Sequence, residues 1–306
     1  MIRLTLRQLE ILEAVARHGS FSRASKDVHL TQPAVSMQIK QLEESLGVPL
    51  FEHVGKKIHL TEAGRETLAT SHAIGRELDN LEHTLADLRG LKGGTLKISV
   101  ASTASYFAAR LMALFRQVHP EVHISLNVVN RATLLNHLTG NTVDLALMGQ
   151  PPEGMGLTAQ PFMENPLVVI ASPNHPFAQI RDISLARLAK EPLVGREPGS
   201  GTRGAVEKVF AEHGLELSVA MEMNKNEAIK QAVEAGLGLG VVSLHIVQSE
   251  LASGELCVLD VQGFPLMREW YLVQREGKRL SPAARAFSEF VLTQAKDAAR
   301  LDASTP

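Results

Sequence analysis

The stretch that decides the N-terminal fold is residues 21–64, FSRASKDVHLTQPAVSMQIKQLEESLGVPLFEHVGKKIHLTEAG. It predicts two short helices joined by a tight turn, the first capped by Ser22 and the second by Thr31. Pro33 follows in the first turn of the second helix, where proline is tolerated because that N–H has no partner in a helix. Apolar residues upstream recur at helical spacing and stop at Gly19, so a further helix precedes the pair. The whole pattern is that of a helix-turn-helix.

The second helix of this pair has one apolar face and one polar face. Helical rotation turns Val35, Ile39 and Leu42 inward. The outward residues cluster at the N-terminal end, which is the end that a recognition helix inserts into the major groove. The predicted DNA-reading set from this helix comprises Thr31, Gln32, Pro33, Ser36, Met37 and Lys40. A plain three-helix bundle with a solvated polar face is the alternative.

Two short strands at 50–53 and 57–60, around a turn at Gly55, predict a β-hairpin directly after the helices. Lys56 and Lys57 lie at its tip. In a DNA-binding wing these lysines would contact phosphates, which adds affinity but little sequence specificity. Two lysines at a turn are otherwise simply solvated.

Residues 21–64 resemble the N-terminal domain of LysR-type transcriptional regulators. The positions that carry the resemblance are Ala24, Thr31, Gln32, Pro33, Ala34, Val35, Ser36, Ile39, Leu42, Glu43, Leu46, Gly47, Leu50, Phe51, Leu60, Thr61, Ala63 and Gly64. The resemblance implies a winged helix-turn-helix that binds double-stranded DNA. One phosphate-contact position departs from the pattern, because His53 stands where the family often has arginine, and a neutral imidazole makes a weaker contact.

Residues 62–92 predict a long linker helix. Its apolar residues step by four and three, as in the a/d seam of a coiled coil, and they are Ile74, Leu78, Leu81, Leu85 and Leu88. So narrow a stripe favours a partner helix, although packing against its own domain is the alternative. A two-fold dimer of this kind would bind a partly palindromic operator. The resemblance implies a homodimer at this helix and a homotetramer of paired dimers, with RNA polymerase as a further candidate partner.

From residue 93 onward, strands alternate with helices, which predicts an α/β region with mainly parallel sheets. The resemblance implies two lobes similar to periplasmic binding proteins, with a ligand between them. The expected domains are 1–61 (winged helix-turn-helix), 62–92 (linker) and 93–306 (regulatory), the last with lobes at about 93–161 plus 268–306 and at 162–267. The predicted fold class is therefore a helical DNA-binding head joined to a two-lobed α/β domain.

Two strand-to-helix junctions, at 101–105 and 199–203, carry small hydroxyl residues. Helix N-termini present free N–H groups and the positive dipole end, so both junctions favour anions, although ordinary N-capping explains each one singly. The predicted effector site comprises Ser102, Thr103, Asn130, Arg131, Ser200, Gly201, Thr202 and Arg203. Arginine adds bidentate recognition of phosphate or carboxylate, so the expected effector is a phosphorylated or carboxylate metabolite.

Three segments of this region resemble the branch of the family that regulates Calvin-cycle, RuBisCO-type operons. They are NRATLLNHL at 130–138, MGQPP at 148–152 and REPGSGTR at 196–203. The resemblance implies control of carbon-fixation genes.

Composition disfavours several other classes of protein. The lone Cys257 rules out a disulfide framework and a cysteine-clustered zinc site, and no metal site is expected elsewhere. The absence of a signal peptide and of a long apolar run leads us to expect a cytoplasmic protein. The net charge is −2, with +2 in the first 60 residues, so DNA binding must follow from motif geometry.

No catalytic or cofactor motif emerges from the sequence. GLGLG at 236–240 lacks dinucleotide-binding spacing, and PGSGT at 198–202 has no P-loop lysine. We therefore expect neither an enzyme nor a cofactor beyond the small-molecule effector. A solute receptor for transport and an enzyme fused to a DNA-binding head remain as alternatives.

Overall fold

The computed structural model describes residues 4–54, 57–88 and 93–300, and it divides into two compact units, Met1–Glu82 and His83–Pro306. The helices are α1 (Leu6–His18), α2 (Phe21–Asp27), α3 (Gln32–Leu46), α4 (Glu62–Leu88), α5 (Ser105–Val118), α6 (Arg131–Thr139), α7 (Leu185–Leu188), α8 (Gly201–Glu212), α9 (Asn226–Glu234), α10 (Gln248–Ser253) and α11 (Pro282–Arg300). The strands are β1 (Phe51–Val54), β2 (Lys57–Leu60), β3 (Gly94–Ala101), β4 (Val122–Val129), β5 (Leu145–Gly149), β6 (Leu157–Glu164), β7 (Leu167–Ala171), β8 (Leu193–Arg196), β9 (Val219–Met223), β10 (Leu239–Ser243), β11 (Cys257–Val258) and β12 (Glu269–Arg275).

Local capping sets the start of each helix in the first unit. Thr5 and Gln8 form a reciprocal capping box at the start of α1. The hydroxyl of Ser20 accepts from the backbone N–H of Arg23, so α2 begins two residues before the position expected from Ser22 as its cap. Thr31 caps α3, as predicted, by accepting from the backbone N–H of Ala34.

The hairpin β1–β2 is tied to α3 by a half-buried carboxylate contact. Glu43 Oε1 accepts from the backbone N–H of Leu50 at 2.7 Å and from that of Phe51 at 3.3 Å. Gly64, at the start of α4, packs directly on this segment, since a Cβ there would lie 2.1 Å from the carbonyl oxygen of Leu50. Only glycine permits this approach, so the hairpin, α3 and the start of α4 have a fixed arrangement.

Helix α4 changes character along its length. Near its start, the buried Ser71 donates to Glu13 Oε1 at 2.6 Å, which attaches this part of the helix to α1. Further along, Leu78, Leu81 and Leu85 are 41%, 55% and 42% exposed. The second half of the helix therefore presents a stripe of leucine side chains to solvent in the single chain.

The second unit contains two five-stranded mixed sheets, one in each lobe. In the first lobe the order is β4-β3-β5-β12-β6, with β3, β4 and β5 parallel and with β12 antiparallel to both β5 and β6. In the second lobe the order is β11-β7-β10-β8-β9, with β8, β9 and β10 parallel and with β7 antiparallel to both β10 and β11. The expectation of mainly parallel sheets thus needs correction, because each sheet has as many antiparallel as parallel pairings.

The antiparallel pairings of each sheet are made by one interior strand, β12 in the first lobe and β7 in the second. The strands β6 and β9, which the sequence did not predict, each lie at the edge of a sheet. Pro161 interrupts the pattern of β6, and proline is tolerated in a strand mainly at an edge or a bulge. Because β6 belongs to the first lobe, the chain passes to the second lobe at 165–166 rather than at the expected 161–162.

Helices cover both faces of each sheet. In the first lobe, α5 and α11 meet through Phe115 and Phe287, whose rings lie 5.1 Å apart, edge to face. In the second lobe, Val169 faces the cluster that contains Phe210, whereas Val168 faces the cluster that contains Ile229. The carboxyl ends of the central parallel strands β3 and β8 lead directly into the junctions at 101–105 and 199–203.

Candidate ligand cavity and candidate DNA interface

A cavity of about 480 Å³, including its open mouth, lies between the two lobes of the second unit. Both predicted junctions reach it, and ligands in α/β folds commonly bind at the carboxyl ends of strands. Six of the eight predicted effector residues line the cavity: Ser102, Thr103, Arg131, Ser200, Gly201 and Thr202. Two segments that lie about 100 positions apart in the sequence therefore form one site.

The serine at the start of α8 does not serve as an ordinary helix cap. Ser200 is buried, stands at the N-cap position of α8 and makes no side-chain capping bond. Ser102 opens a single 3-10 turn before α5, and its hydroxyl accepts from Arg196 at 3.4 Å. The N-capping alternative is therefore not realised at these serines in the described part of the chain.

Two predicted ligand contacts lie elsewhere. Asn130 caps α6 by accepting from the backbone N–H of Thr133 at 2.9 Å, and it does not line the cavity. Arg203 also faces away, because its guanidinium pairs with Glu207 at 2.6 Å and with Glu222 at 3.7 Å. Successive residues of a helix point about 100° apart, so Thr202 can face the cavity while Arg203 cannot.

Arg196, which the sequence analysis did not select, is a buried link between the lobes. Its side chain is 5% exposed. Within the second lobe it donates to Asn226 Oδ1 at 2.7 Å and to both carboxylate oxygens of Glu197, at 2.8 and 3.0 Å. Towards the first lobe it makes longer contacts of 3.4 Å with the hydroxyls of Thr103 and Ser102. Its place at the end of strand β8, just before the Ser200 junction, is the signal that could have identified it.

Arg268 also reaches across the cavity from the first lobe. Its Nη1 donates to the carbonyl oxygen of Gly201 at 2.7 Å, while Arg131 Nη2 donates to the carbonyl oxygen of Gln150 at 2.9 Å. Burial lowers the pKa of both arginines, and the charge of Arg268 lowers the pKa of Arg131 further. Both guanidinium groups remain protonated, because their ordinary pKa lies so far above neutrality.

The charge of the cavity lining is positive. Three arginines, Arg131, Arg196 and Arg268, face one carboxylate, Glu197, which is already bonded to Arg196. An anion placed between the guanidinium groups would relieve their mutual repulsion. The polar and aromatic lining residues that the sequence analysis missed are Asn165, Arg196, Glu197, Arg268 and Trp270.

A further contact between the lobes lies outside the cavity lining. Tyr106 Oη on α5 donates to Glu227 Oε2 on α9 at 3.0 Å, and the ammonium group of Lys230 lies 5.3 Å from the centre of the Tyr106 ring. Burial, together with the hydrogen bond to Glu227, raises the pKa of Tyr106 to about 12. The phenol therefore stays protonated and remains a donor at neutral pH.

In the first unit, the N-terminal part of α3 presents the predicted reading face. Gln32 and Met37 are exposed, Ser36 is half-buried, and Gln32 Nε2 donates to Ser36 Oγ at 3.0 Å. Lys40 is exposed and lies 3.8 Å from Glu44. The inward residues Val35, Ile39 and Leu42 are fully or almost fully buried, as their spacing predicts.

The remaining predicted contacts with DNA and between dimer subunits stay predictions. Thr31 and Pro33 are exposed at the start of α3. In the hairpin, the backbone of His53 pairs with that of Ile58, and the backbone of Lys57 pairs with that of Val54. Lys56 lies outside the described residues. Of the expected dimerisation residues, Ile74 is half-buried and Leu78, Leu81 and Leu85 are exposed, while the side chain of Leu88 is not among those described.

The described residues contain neither a membrane-spanning helix nor a cluster of metal ligands. None of these helices combines the length and the apolar content needed to cross a membrane. No group of three or more histidine, cysteine, aspartate or glutamate side chains in this part of the chain is placed to hold a metal ion.

Comparison with known proteins places the chain in a family. The model of the LysR substrate binding domain matches residues 89–296, and that of the bacterial regulatory helix-turn-helix protein, lysR family, matches residues 6–65. The chain is 56% identical to a RuBisCO operon transcriptional regulator from Allochromatium vinosum over 292 residues, which are 95% of this chain and 97% of the relative. It is 48% identical to the HTH-type transcriptional activator CmpR from Synechocystis sp. over 287 residues, 94% of each chain.

A solved regulatory domain resembles about two thirds of the chain. The regulatory domain of CcmR from Synechocystis PCC6803, in complex with 2-PG, is 40% identical and superposes with a TM-score of 0.64. The match covers 67% of this chain and 98% of that one. These proteins are transcriptional regulators, unlike the transport receptors and enzymes left open by the sequence. The chain therefore belongs to the LysR family of bacterial transcriptional regulators.

Proposed function

We propose that this regulator controls carbon-fixation genes in the cytoplasm, and that a small phosphorylated or carboxylate anion in the cavity between the lobes switches it. Relatives at 56% and 48% identity over nearly their full length include a RuBisCO operon regulator and CmpR. The observation that carries the ligand class is the convergence of Arg131, Arg196 and Arg268 at the start of α8.

The chemistry of this cavity suits a phosphate group. Guanidinium groups bind phosphate oxygens in pairs of hydrogen bonds, and the start of a helix adds backbone N–H donors and the positive end of its dipole. Gly201 keeps the helix start open, since a Cβ there would lie 3.3 Å from Arg131 Nη1. Any larger residue would crowd the arginine that is to bind the anion.

The same arginines make the bonds that join the lobes. Arg268 binds the carbonyl oxygen of Gly201, and Arg196 contacts the hydroxyls of Ser102 and Thr103. An anion that competes for these guanidinium donors would change the balance between lobe arrangements. We propose that α4 transmits this change to the DNA-binding heads.

The DNA-binding part of the proposal rests on α3 and α4. Two heads, paired through Leu78, Leu81 and Leu85, would place two copies of α3 in successive major grooves of a partly palindromic operator. The exposed leucines are what a dimer would cover. Paired dimers would form the tetramer that the family resemblance implies.

Calorimetric titration of the full-length protein with 2-phosphoglycolate, the ligand of the CcmR domain, tests the ligand class. Arg268→Met removes one charged donor from the cavity, so the affinity should fall by roughly tenfold to a hundredfold, the range expected for a charge-assisted hydrogen bond. Arg181→Gln is the matched control, because the Arg181 side chain is 90% exposed in the second lobe. It should leave the affinity unchanged.

The same titration has a result that would contradict the proposal. If the wild-type protein binds neither 2-phosphoglycolate nor inorganic phosphate, the cavity is not an anion site. If Arg268→Met and Arg181→Gln weaken binding equally, the anion binds elsewhere. Retardation of DNA from upstream of the carbon-fixation operon, with and without 2-phosphoglycolate, then tests whether binding alters operator recognition.

A further inference from the structure

Two buried polar atoms of the ligand cavity have no hydrogen-bond partner within the described part of the chain. They are Trp270 Nε1 and Asn165 Oδ1, in side chains that are 2% and 4% exposed. Buried polar groups in proteins are nearly always hydrogen-bonded, and the exceptions call for an explanation. Both residues line the cavity, so a bound molecule there would lie against their side chains.

The backbone fixes the position of both side chains beside an anion-binding arginine. The N–H of Asn165 donates to the carbonyl oxygen of Arg268 at 2.7 Å. Trp270 lies two residues after Arg268 along extended chain, so the two side chains point to the same face. The pairing of β6 with β12 shifts register directly after Trp270, and such bulges commonly orient side chains next to binding sites.

The Trp270 ring cannot turn away from the cavity without disrupting the core of the first lobe. It packs edge to face against Phe107, with 5.3 Å between ring centres. The indole N–H is only a donor, whereas the amide oxygen of Asn165 is only an acceptor. The two unpartnered atoms are thus one donor and one acceptor, both neutral and both almost fully buried.

We propose that Trp270 and Asn165 form a hydroxyl subsite of the ligand cavity. A ligand hydroxyl accepts from Trp270 Nε1 and donates to Asn165 Oδ1, which satisfies both atoms at once. The inference rests on the proposed anion site and narrows its ligand class to phosphorylated hydroxy compounds, in which the arginines bind the phosphate.

Other ligand groups fit these two atoms less well. A carboxylate accepts hydrogen bonds but donates none, so it would leave Asn165 Oδ1 unpaired and add a second negative charge to a cavity that already contains Glu197. An apolar group would leave both atoms unpaired. A site built to bind a hydroxyl discriminates against the analogue that lacks it, because its own polar groups then stay unpaired.

Two probes that differ by a single hydroxyl test the subsite in the full-length protein. Calorimetry should show that 2-hydroxyethyl phosphate binds about tenfold or more tightly than ethyl phosphate. Trp270→Phe keeps an aromatic ring against Phe107 but removes the N–H, so this ratio should fall to about threefold or less. Asn165→Leu, which removes the acceptor at similar volume, should reduce the ratio in the same way.

Tyr271→Phe is the matched control for these variants. It removes a polar atom from the next aromatic residue on β12, which bonds Glu269 and does not line the cavity, so the ratio should persist. An equal affinity of the wild-type protein for the two probes would overturn the hydroxyl subsite alone. A ratio that survives in both Trp270→Phe and Asn165→Leu would do the same.

Two further outcomes are distinguishable. If Trp270→Phe weakens 2-phosphoglycolate more than it weakens 2-hydroxyethyl phosphate, the subsite binds a carboxylate, and the hydroxyl assignment is wrong. If the wild-type protein binds no phosphate compound at all, the proposed anion site fails, and the subsite fails with it.

Discussion

The reading face of α3 and the ligand cavity satisfy their polar groups in opposite ways. On α3, the exposed Gln32 bonds to its neighbour Ser36, one helical turn away. In the cavity, the buried Arg196 and the half-buried Arg268 bond to groups on the other lobe. The exposed residues of α3 can therefore exchange partners with little effect on the fold, whereas the cavity arginines also hold the two lobes together.

Removal of the buried Arg196 cation should have the largest effect of the changes considered. Arg196→Leu leaves the carboxylate of Glu197 and the amide oxygen of Asn226 without their charged donor. Breaking one side of a buried ion pair costs roughly 3–5 kcal/mol, and we expect the lower part of this range because Glu197 is partly exposed. Urea unfolding of the full-length protein measures the loss, with Arg181→Leu as the exposed control. An equal stability of the two variants would show that the buried network contributes nothing.

The second test concerns α4, on whose exposed leucines the proposed pairing of heads depends. Leu81→Asp places a charge at a position that is 55% exposed in the single chain, so the fold of that chain should tolerate it. A charge buried in a dimer seam is strongly unfavourable, so sedimentation should show monomers. Operator affinity should fall by about a hundredfold, because the second head no longer binds from the same molecule. A variant that stays dimeric and binds normally would place the dimer interface elsewhere.

Loss of the Gln32 side chain should have the smallest effect. Gln32→Ala should weaken binding to the cognate operator by about 1–3 kcal/mol, the value of one good base contact, and should weaken binding to random DNA much less. Thermal stability should change by about 0.5 kcal/mol or less, because only an exposed contact to Ser36 is lost. Lys56→Ala should weaken both DNAs alike. If Gln32→Ala also does so, Gln32 does not read bases.

The reading face could be predicted from sequence because its determinants are local. Thr31 caps α3, and helical periodicity alone separates the inward Val35 from the outward Met37. The cavity required tertiary information. Arg268 lies just before β12 in a segment without any motif, and it meets Gly201 only because the lobes face each other.

Arg203 was predicted to contact the ligand but does not line the cavity, which again shows that local sequence cannot decide tertiary contacts. A positive charge beside a glycine-rich helix start predicts an anion contact, but the docking of α8 decides which residue faces the ligand. In the structure Thr202 lines the cavity, and Arg203 pairs with Glu207. The sequence analysis also missed strand β6, because Pro161 interrupts its alternating pattern. Its partner strand β12 lies about 110 residues away in the sequence, so local sequence does not indicate the pairing.

Trp270 is the single tryptophan of the chain, beside only two tyrosines, and it lines the ligand cavity. Its fluorescence therefore originates from one known site and needs no attached dye. Indole emission shifts in wavelength when the polarity around the ring changes. The fluorescence of the unmodified protein should therefore report whether the cavity is occupied. The DNA-binding unit contains no tryptophan, and DNA itself scarcely emits. Ligand entry can thus be followed in real time on the assembled protein–operator complex.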